Sequence, residues 1–424
     1  MEIKIEPGVL NGTVNIIPSK SQAHRALICA ALADKPSLVE CEVTSNDIDA
    51  TAECLRALGA EILFKQNCFD VSPIKNIEHT DVARLPCLES GSTFRFLLPI
   101  AAALGREVSF ELKGRLPERP LSPLYEELVR NGCCLSPQGS SPFTIKGKLS
   151  SGNYSLNAGV SSQFISGLLF SLPLLQGDSK IELTGKIESF PYIELTLSML
   201  EKFAVEVIYK DTCFYIHGAQ KYRSPGKVRV EGDWSNAAFW FAAGAVGGNG
   251  ITCTGLDIHS RQGDRAMLDI LARFGASIEI SNFAVTVSKG ELRGIEIDAG
   301  DIPDLVPILS VVAAAAKGET VIRNAGRLRG KESDRLAAAT SVLSELGTDI
   351  KETKDGLIIH GGIRLKGGTV SSWRDHRIAM SAAIAAVLCD GPVIIQDAGA
   401  VNKSYPGFFD ERSKLLCPHN TEVK

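Results

Sequence analysis

The sequence predicts an α/β protein of two similar domains. Each domain is made of three βαβαββ repeats with buried parallel helices, an arrangement called an inside-out α/β barrel. Three observations support this prediction. A chain of 424 residues is too long for a single hydrophobic core. Six similar helix starts recur along it at a nearly constant spacing, and an apolar helix rich in small residues follows each of them. Six repeats divide naturally into three plus three.

Each recurring helix start carries one polar residue that resembles an N-cap. These residues are Ser21, Ser92, Ser162, Asp233, Asp304 and Asp375, at steps of 71, 70, 71, 71 and 71 residues. Unrelated Ala-rich helices would rarely keep such a register over five steps. We therefore interpret the chain as six copies of one structural unit.

A second, more amphipathic helix follows in each copy and ends near a small residue or a glycine. The sequence predicts these helices over residues 47–60, 121–132, 193–204, 265–275 and 334–347, and the last copy is cut short at Pro406. Short strands come next, for example 205–209 and 277–280, and we expect a hairpin between 285–287 and 295–297. The unit is therefore β-α-β-α-β-β.

The predicted domain boundary lies at the midpoint of the repeats, near residues 229–232. The strand before Pro18 can complete the second domain, because Lys20 already begins the first repeat. The predicted domains are residues 19–230, with repeats one to three, and residues 1–18 plus 231–424, with repeats four to six.

Composition argues against several classes of protein. A net charge of −4 is unlike that of a general nucleic-acid-binding protein. We expect neither a membrane span nor a signal peptide, because no apolar run is long enough. Eleven scattered cysteines predict reduced thiols in a cytoplasmic protein. The chain has no His-x-x-x-His or Cys-x-x-Cys spacing, so we expect no metal site.

Cations gather at the helix starts although the protein is mildly acidic. Lys20, Arg25, Arg95 and Arg377 lie beside N–H groups that have no intrahelical partner, which favours anion binding. This pattern predicts a small, highly anionic ligand. Taken alone, Asp304 is more consistent with a helix cap, and the charged segment 331–335 is equally consistent with a solvated helix start.

Together these motifs resemble the EPSP synthase family of 3-phosphoshikimate 1-carboxyvinyltransferases. The matching segments, in the family's order, are Lys20-Ser21 with Arg25, Ser90-Gly91-Ser92 with Arg95, Glu118-Arg119-Pro120, Ser161-Ser162-Gln163, Ser189 with Tyr192, Ile302-Pro303-Asp304, Lys331-Glu332-Ser333-Asp334-Arg335, Asp375-His376-Arg377 and Asn402-Lys403-Ser404. The resemblance implies transfer of the enolpyruvyl group of phosphoenolpyruvate to the 5-hydroxyl of shikimate 3-phosphate, with release of phosphate. This step belongs to the shikimate pathway, which leads to chorismate and the aromatic amino acids. The resemblance also implies that the protein needs no cofactor and is a monomer whose domains close on the substrates.

The resemblance also implies residue roles. Shikimate 3-phosphate would be bound by Lys20, Ser21, Arg25, Ser161, Ser162, Gln163, Ser189, Asp304, Arg327 and Lys331. Phosphoenolpyruvate would be bound by Lys20, Gly91, Arg119, Gln163, Arg335, Arg377 and Lys403. Asp304 would take the proton of the 5-hydroxyl, Glu332 would protonate the methylene carbon, and Lys20 would complete the catalytic set. Arg327 departs from the family, because some members have an asparagine there. Gly91 resembles the form inhibited by glyphosate.

Two alternatives remain open. UDP-N-acetylglucosamine enolpyruvyl transferase shares the sixfold architecture, but it typically has Lys-Asn in place of Lys20-Ser21. It also carries a reactive cysteine in the loop that here spans 115–119, and this chain has no cysteine between Cys87 and Cys133. The other alternative is a non-catalytic phosphometabolite-binding protein. Asp304 and Glu332 argue against it, because binding alone needs neither.

Overall fold

The computed structural model describes residues 1–75, 81–247, 250–281 and 284–417. The chain forms two compact units. The first unit is Pro18–Val230, and the second unit combines Met1–Ile17 with Glu231–Lys424. Each unit has its own hydrophobic core. The chain therefore leaves the second unit after Ile17 and returns to it after Val230.

The secondary structure begins with β1 (Ile3–Ile5) and β2 (Gly12–Asn15), both in the second unit. The helices of the first unit are α1 (Lys20–Leu32), α2 (Asn46–Ala57), α3 (Gly91–Ala103), α4 (Leu124–Arg130), α5 (Ser162–Ser171) and α6 (Phe190–Lys202). Its strands are β3 (Ser37–Glu40), β4 (Glu61–Lys65), β5 (Cys68–Ser72), β6 (Ala83–Leu88), β7 (Val108–Leu112), β8 (Cys133–Leu135), β9 (Phe143–Gly147), β10 (Asn153–Asn157), β11 (Ser179–Thr184), β12 (Ile208–Lys210), β13 (Cys213–Ile216) and β14 (Lys227–Arg229).

The remaining elements belong to the second unit. Its helices are α7 (Trp234–Gly247), α8 (Met267–Phe274), α9 (Val306–Ala315), α10 (Arg335–Glu345), α11 (His376–Ala385) and α12 (Phe408–Leu415). Its further strands are β15 (Ile251–Thr254), β16 (Ser277–Ile280), β17 (Ala284–Ser288), β18 (Glu296–Asp298), β19 (Gly318–Arg323), β20 (Asp349–Glu352), β21 (Leu357–Gly361), β22 (Gly368–Ser371) and β23 (Val393–Gln396).

The βαβαββ repeat is present in both units. In the first unit, β6 leads through α3 to the parallel strand β7, and then through α4 to the hairpin of β8 and β9. The sheet orders β6-β7-β9-β8, β10-β11-β13-β12 and β18-β19-β21-β20 follow the same pattern. A helix must connect each parallel pair, because parallel strands need a long crossover. The repeat predicted from the helix starts is therefore a real structural unit.

Three sheets are completed by a strand from a distant part of the chain. β14 pairs in parallel with β3, and β2 pairs in parallel with β15. β1 pairs antiparallel with β23. The described strands form six separate sheets of three or four strands, and no closed barrel is found among them.

The first helix of each repeat is the buried one. All ten residues of α11 are buried, and so are all residues of α9 except Ala315. In the second unit α7, α9 and α11 pack against one another. In the first unit α3 packs closely on α5 at Gly167, where an added Cβ would lie 2.4 Å from the carbonyl oxygen of Arg95. Small residues on these helices allow this close approach.

Three predicted helix caps lie one or two residues too far along the chain. The caps of α1, α3 and α5 are Ser19, Ser90 and Ser161, whose hydroxyls accept from the backbone N–H groups of Gln22, Thr93 and Gln163. The predicted Ser21, Ser92 and Ser162 instead lie within the first turn. The prediction placed the cap at the most regular polar position, whereas the cap is the last residue with extended backbone.

Two of the three predicted caps of the second unit are confirmed. Asp233 accepts from the N–H of Asn236, and Asp375 accepts from that of Arg377, so both cap their helices as predicted. Asp304 is not a cap, because it lies in a short 3₁₀ turn, Pro303–Leu305, before α9. Its carboxylate binds side chains instead.

The predicted hairpin between 285–287 and 295–297 is wrong. β17 pairs with β15 and β16, whereas β18 pairs with β19 in the next sheet. Two apolar strand segments close in sequence do not by themselves show which sheet each will join. Here β18 is the first strand of repeat five, so it belongs with the strand that follows α9.

Candidate active site

The starts of α3 and α5 in the first unit meet through Gln163. Its Oε1 accepts from Nη1 of Arg95 at 2.9 Å, and its Nε2 donates to Oγ of Ser92 at 2.9 Å. Arg95 also donates to the carbonyl oxygen of Pro120 at 3.1 Å. The amide of Gln163 therefore holds a cation and a hydroxyl in fixed positions at two helix starts.

Two guanidinium groups lie against the backbone of Gly91, the first residue of α3. A Cβ added to Gly91 would lie 2.9 Å from Nη1 of Arg119 and 3.0 Å from Nη1 of Arg95. Only a residue without a side chain leaves both guanidinium groups in place. A helix N-terminus flanked by two arginines is suited to an anion.

Arg25 is fixed by three hydrogen bonds in the buried part of the first unit. Its Nε donates to Oγ1 of Thr196 at 2.8 Å, its Nη1 to the carbonyl oxygen of Ser21 at 2.6 Å, and its Nη2 to that of Tyr192 at 2.8 Å. The guanidinium also lies over the ring of Phe96. Burial lowers the pKa of Arg25 to about 10, so it remains a cation at neutral pH.

Lys20 forms an ion pair at the start of α1. Its Nζ lies 2.8 Å from Oδ2 of Asp47, and the two side chains are only 16% and 7% exposed. Sequence reasoning did not assign Asp47, although it begins a predicted helix. Its carboxylate fixes the ammonium of a predicted catalytic residue.

The predicted serines of the first unit lie at helix starts. Ser161 caps α5 and Ser162 is its first residue, while Ser189 precedes α6 with a left-handed backbone, φ 55°. α6 packs against both α1 and α5. Thr196 of α6 donates to Oγ of Ser166 in α5 at 2.8 Å. The two helix starts that carry these serines are thus joined to the one that carries Arg25.

The second unit contains a dense charged network, here called the Asp304 cluster: Asp304, Glu332, Arg335, Asp375 and Arg377. Arg335 is the centre of this cluster and is 2% exposed. It donates from Nη1 to Asp304 at 2.7 Å, from Nη2 to Glu332 at 2.9 Å and from Nε to Asp375 at 2.8 Å. Arg377 donates to the other oxygen of Asp304 at 2.8 Å. Asp304 therefore receives two buried guanidinium groups.

Ion pairs within the cluster shift the pKa values of Asp304 and Arg335. Burial alone would raise the pKa of Asp304, but Arg377, Lys331 and Arg335 together hold it well below its usual range. Burial likewise opposes the charge of Arg335, yet Asp375, Glu332 and Asp304 raise its pKa. Asp304 is therefore a carboxylate at neutral pH, as a base must be, and in this arrangement it is a weak one.

The other predicted cations of the second unit are Lys331, Arg327 and Lys403. Burial lowers the pKa of Lys331 to about 8, with Arg335 and Arg327 acting in the same direction and Asp304 opposing them. Arg327 lies in a 3₁₀ segment, Gly326–Gly330, and its Nη2 donates to the carbonyl oxygen of Gly300. Lys403 is buried at the end of another 3₁₀ segment, Ala398–Lys403.

Asp264 is a charged neighbour that sequence reasoning missed. It is 2% exposed and accepts a hydrogen bond from the hydroxyl of Ser235. Burial and the negative charge of Asp304 raise its pKa to about 7. It precedes α8 outside every motif that the repeat highlights, so nothing in the sequence pointed to it.

Two negative findings apply to the described residues. Among them there is no group of three or more His, Cys, Asp or Glu side chains that could hold a metal ion. None of the helices there is long and apolar enough to cross a membrane. All eleven cysteines are free thiols.

The sequence and the structure both resemble known proteins. The family model for EPSP synthase (3-phosphoshikimate 1-carboxyvinyltransferase) matches residues 5–411. The chain is 46% identical over 417 residues to a 3-phosphoshikimate 1-carboxyvinyltransferase of Clostridium kluyveri, covering 97% of each chain.

Two solved structures share the fold. An EPSP synthase from Acinetobacter baumannii aligns with a TM-score of 0.81 at 25% identity, over 98% of both chains. The enolpyruvyl transferase NikO from Streptomyces tendae aligns with a TM-score of 0.79 at 19% identity, over 98% of this chain and 99% of that one. The matching family model spans both units and includes every predicted site residue. The chain belongs to the EPSP synthase family.

Proposed function

We propose that the protein transfers the enolpyruvyl group of phosphoenolpyruvate to the 5-hydroxyl of shikimate 3-phosphate. The products are 5-enolpyruvylshikimate 3-phosphate and phosphate. Membership of the family supports this reaction. The Asp304 cluster carries the proposal, because it joins a carboxylate suited to act as a base, a second carboxylate and two arginines suited to an anionic substrate.

The two substrates are both highly anionic, so the site must offset their mutual repulsion. Together they carry two phosphates and two carboxylates, which repel one another. Each charge-assisted hydrogen bond contributes about 1.5–3 kcal/mol, so several are needed. We assign Arg25, Ser21, Ser161, Ser162, Gln163, Ser189, Arg327 and Lys331 to shikimate 3-phosphate, and Gly91, Arg119, Gln163, Arg335, Arg377 and Lys403 to phosphoenolpyruvate. Lys20 and Asp304 also belong with shikimate 3-phosphate, and Lys20 serves phosphoenolpyruvate as well.

The reaction is an addition followed by an elimination. Asp304 takes the proton of the 5-hydroxyl as its oxygen attacks C2 of phosphoenolpyruvate, and Glu332 gives a proton to the methylene carbon. The tetrahedral adduct then loses phosphate, which leaves with the proton that Asp304 had accepted, as a methyl proton returns to Glu332 and the double bond re-forms. A positioned acid and a positioned base each contribute about 10²–10⁴ in rate.

Substrate binding would strengthen Asp304 as a base. Its carboxylate accepts from Arg335 and Arg377, the two arginines that we assign to phosphoenolpyruvate. The anionic groups of that substrate compete for the same donors. When they take over the arginines, Asp304 loses the cations that hold down its pKa, and its basicity rises.

The alternative acceptor, UDP-N-acetylglucosamine, has less support. The loop expected to carry a reactive cysteine there includes the 3₁₀ turn Leu116–Glu118 and contains no cysteine. The curated relatives are named for shikimate 3-phosphate chemistry. We disfavour a non-catalytic role, because the curated relatives are named as transferases.

One assay separates these functions. Phosphate release from phosphoenolpyruvate is measured with shikimate 3-phosphate, with UDP-N-acetylglucosamine or without an acceptor. We expect release only with shikimate 3-phosphate. Release with the nucleotide sugar would identify the sister enzyme, and no release with either would favour a binding protein.

Further expectations from the sequence remain proposals. We propose a monomer that works in the cytoplasm and binds neither nucleic acid nor membranes. The free thiols support a reducing compartment, and the acidic net charge of −4 supports the absence of nucleic-acid binding.

A further inference from the structure

A chain of buried polar side chains joins α1, α2 and α3 in the first unit. Nδ1 of His24 lies 2.6 Å from Oγ1 of Thr51, which lies 2.6 Å from Oγ1 of Thr93. Thr93 in turn donates to Oγ of Ser90 at 2.7 Å. All four residues are at most 1% exposed. None of them is assigned to a substrate above, and we call this set the threonine chain.

The direction of these hydrogen bonds follows from simple counting. A hydroxyl group has one hydrogen, and that of Thr93 is donated to Ser90. Thr51 must therefore donate to Thr93 and share the same hydrogen with the carbonyl oxygen of Asp47, and His24 must donate from Nδ1 to Thr51. The bonds thus run in one direction from α1 to the cap of α3.

The threonine chain reaches the site at Ser90 and at Thr51. Ser90 caps α3 and immediately precedes Gly91, whose backbone faces Arg119. Within the chain, Oγ1 of Thr51 lies 3.3 Å from the carbonyl oxygen of Asp47, whose side chain holds Lys20. The threonine chain therefore links the partner of Lys20 to the N-terminus of α3.

We propose that Thr51 and Thr93 are positioning residues for phosphoenolpyruvate, because they fix the spacing between Lys20 and the start of α3 without touching the substrate. This inference rests on the proposed function, which assigns Lys20 and Gly91 to phosphoenolpyruvate. A buried hydrogen-bonded network restrains its members, so its geometry is transmitted to the groups that it contacts.

Packing alone does not require these hydroxyls. Replacing both partners of a buried hydrogen bond by apolar groups of the same shape is often nearly neutral for stability. Valine has the shape of threonine, so it would fill the same space between α2 and α3. The hydroxyls are therefore explained better by positioning than by packing.

Thr196 provides a matched control in the same unit. It is completely buried, accepts from Nε of Arg25 at 2.8 Å and donates to Oγ of Ser166 at 2.8 Å. Arg25 is assigned to shikimate 3-phosphate. We therefore expect Thr196 to be a positioning residue for shikimate 3-phosphate, as Thr51 and Thr93 are for phosphoenolpyruvate.

The test is steady-state kinetics of the full chain with each substrate varied in turn. Thr93→Val and Thr51→Val should raise KM for phosphoenolpyruvate about three- to tenfold, because each variant loses one to two hydrogen bonds. The same variants should change KM for shikimate 3-phosphate less than about twofold. Thr196→Val should show the opposite split. Thr51→Ser, Thr93→Ser and Thr196→Ser keep the hydroxyl and should behave like the unaltered protein.

Four results would overturn the inference. Equal increases of both KM values in the valine variants would mean that the threonines only support the fold. Serine variants as impaired as the valine variants would mean that the methyl group, and not the hydroxyl, matters. If Thr51→Val does not fold, Thr93→Val and Thr93→Ala test the same link, and an unchanged KM for phosphoenolpyruvate in both contradicts it. An unaltered protein that releases no phosphate refutes the proposed function, and the inference falls with it.

Discussion

Asp304 serves two purposes that a sequence motif cannot distinguish. It forms ion pairs with two buried arginines, and we propose that it also accepts the proton of the acceptor hydroxyl. The motif Ile302-Pro303-Asp304 identified the residue but suggested a helix cap. Its partners were not predictable, because Arg335 and Arg377 lie 31 and 73 residues further along the chain.

Asp304→Asn and Glu332→Gln should lose turnover far more than binding. Each variant keeps the side-chain shape but removes a proton acceptor or donor, so kcat should fall about 10²–10⁴-fold. Binding of each substrate is measured by titration calorimetry beside the kinetics. Losses of affinity as large as the losses of kcat would show that these carboxylates only bind.

Lys331 should make shikimate 3-phosphate binding depend on pH. Its pKa, lowered to about 8 mainly by burial, means that the ammonium is charged below pH 8 and neutral above it. KM for shikimate 3-phosphate should therefore rise as the pH increases through about 8. Lys331→Arg should remove this rise, because arginine stays charged. A rise of the same size in that variant would assign the titration to another group.

Gly91→Ala should weaken phosphoenolpyruvate binding and glyphosate inhibition together. The new methyl group would lie 2.9 Å from Arg119 and 3.0 Å from Arg95, so both guanidinium groups must move. In the unaltered protein, glyphosate should compete with phosphoenolpyruvate. Inhibition kinetics check this, and failure to compete would contradict the assignment of Gly91.

At the scale of elements, the periodicity of the helix starts predicted the repeat correctly. It succeeded because buried helices need apolar residues on all sides and because polar residues gather where these helices begin. The cap positions were one or two residues off in α1, α3 and α5. The error has a physical cause, because Ser19, Ser90 and Ser161 differ from their polar neighbours only in backbone conformation, which the sequence does not show.

Gly167→Ala should destabilise the packing of α3 on α5. The added Cβ would lie 2.4 Å from the carbonyl oxygen of Arg95 and 2.9 Å from Cγ of Pro99, so the helices must separate. Overpacking of this kind costs about 1–3 kcal/mol in the free energy of unfolding. Denaturant unfolding measures it, with Gly399→Ala as a control, where the nearest atom lies at 3.8 Å. Equal stability of both variants would contradict this view of the helix contact.

At the scale of the whole molecule, long-range partners were the least predictable feature. The pairing of β14 with β3 and of β2 with β15 joins segments about 190 and 240 residues apart. Apolar alternation shows that a segment is a strand but does not identify its neighbour. Likewise, the cations of the site were visible in the sequence, whereas Asp47, Asp264 and Thr196 were not. Their importance comes only from the groups that folding places beside them.

We propose that each turnover consumes one phosphoenolpyruvate and one shikimate 3-phosphate. Phosphorus NMR of one reaction mixture tests it directly, because phosphoenolpyruvate, shikimate 3-phosphate, its enolpyruvyl product and phosphate each contain phosphorus. We predict that the signals of both substrates decrease together while the product and phosphate appear in equal amounts. Loss of phosphoenolpyruvate with an unchanged shikimate 3-phosphate signal, or no change at all, would contradict it.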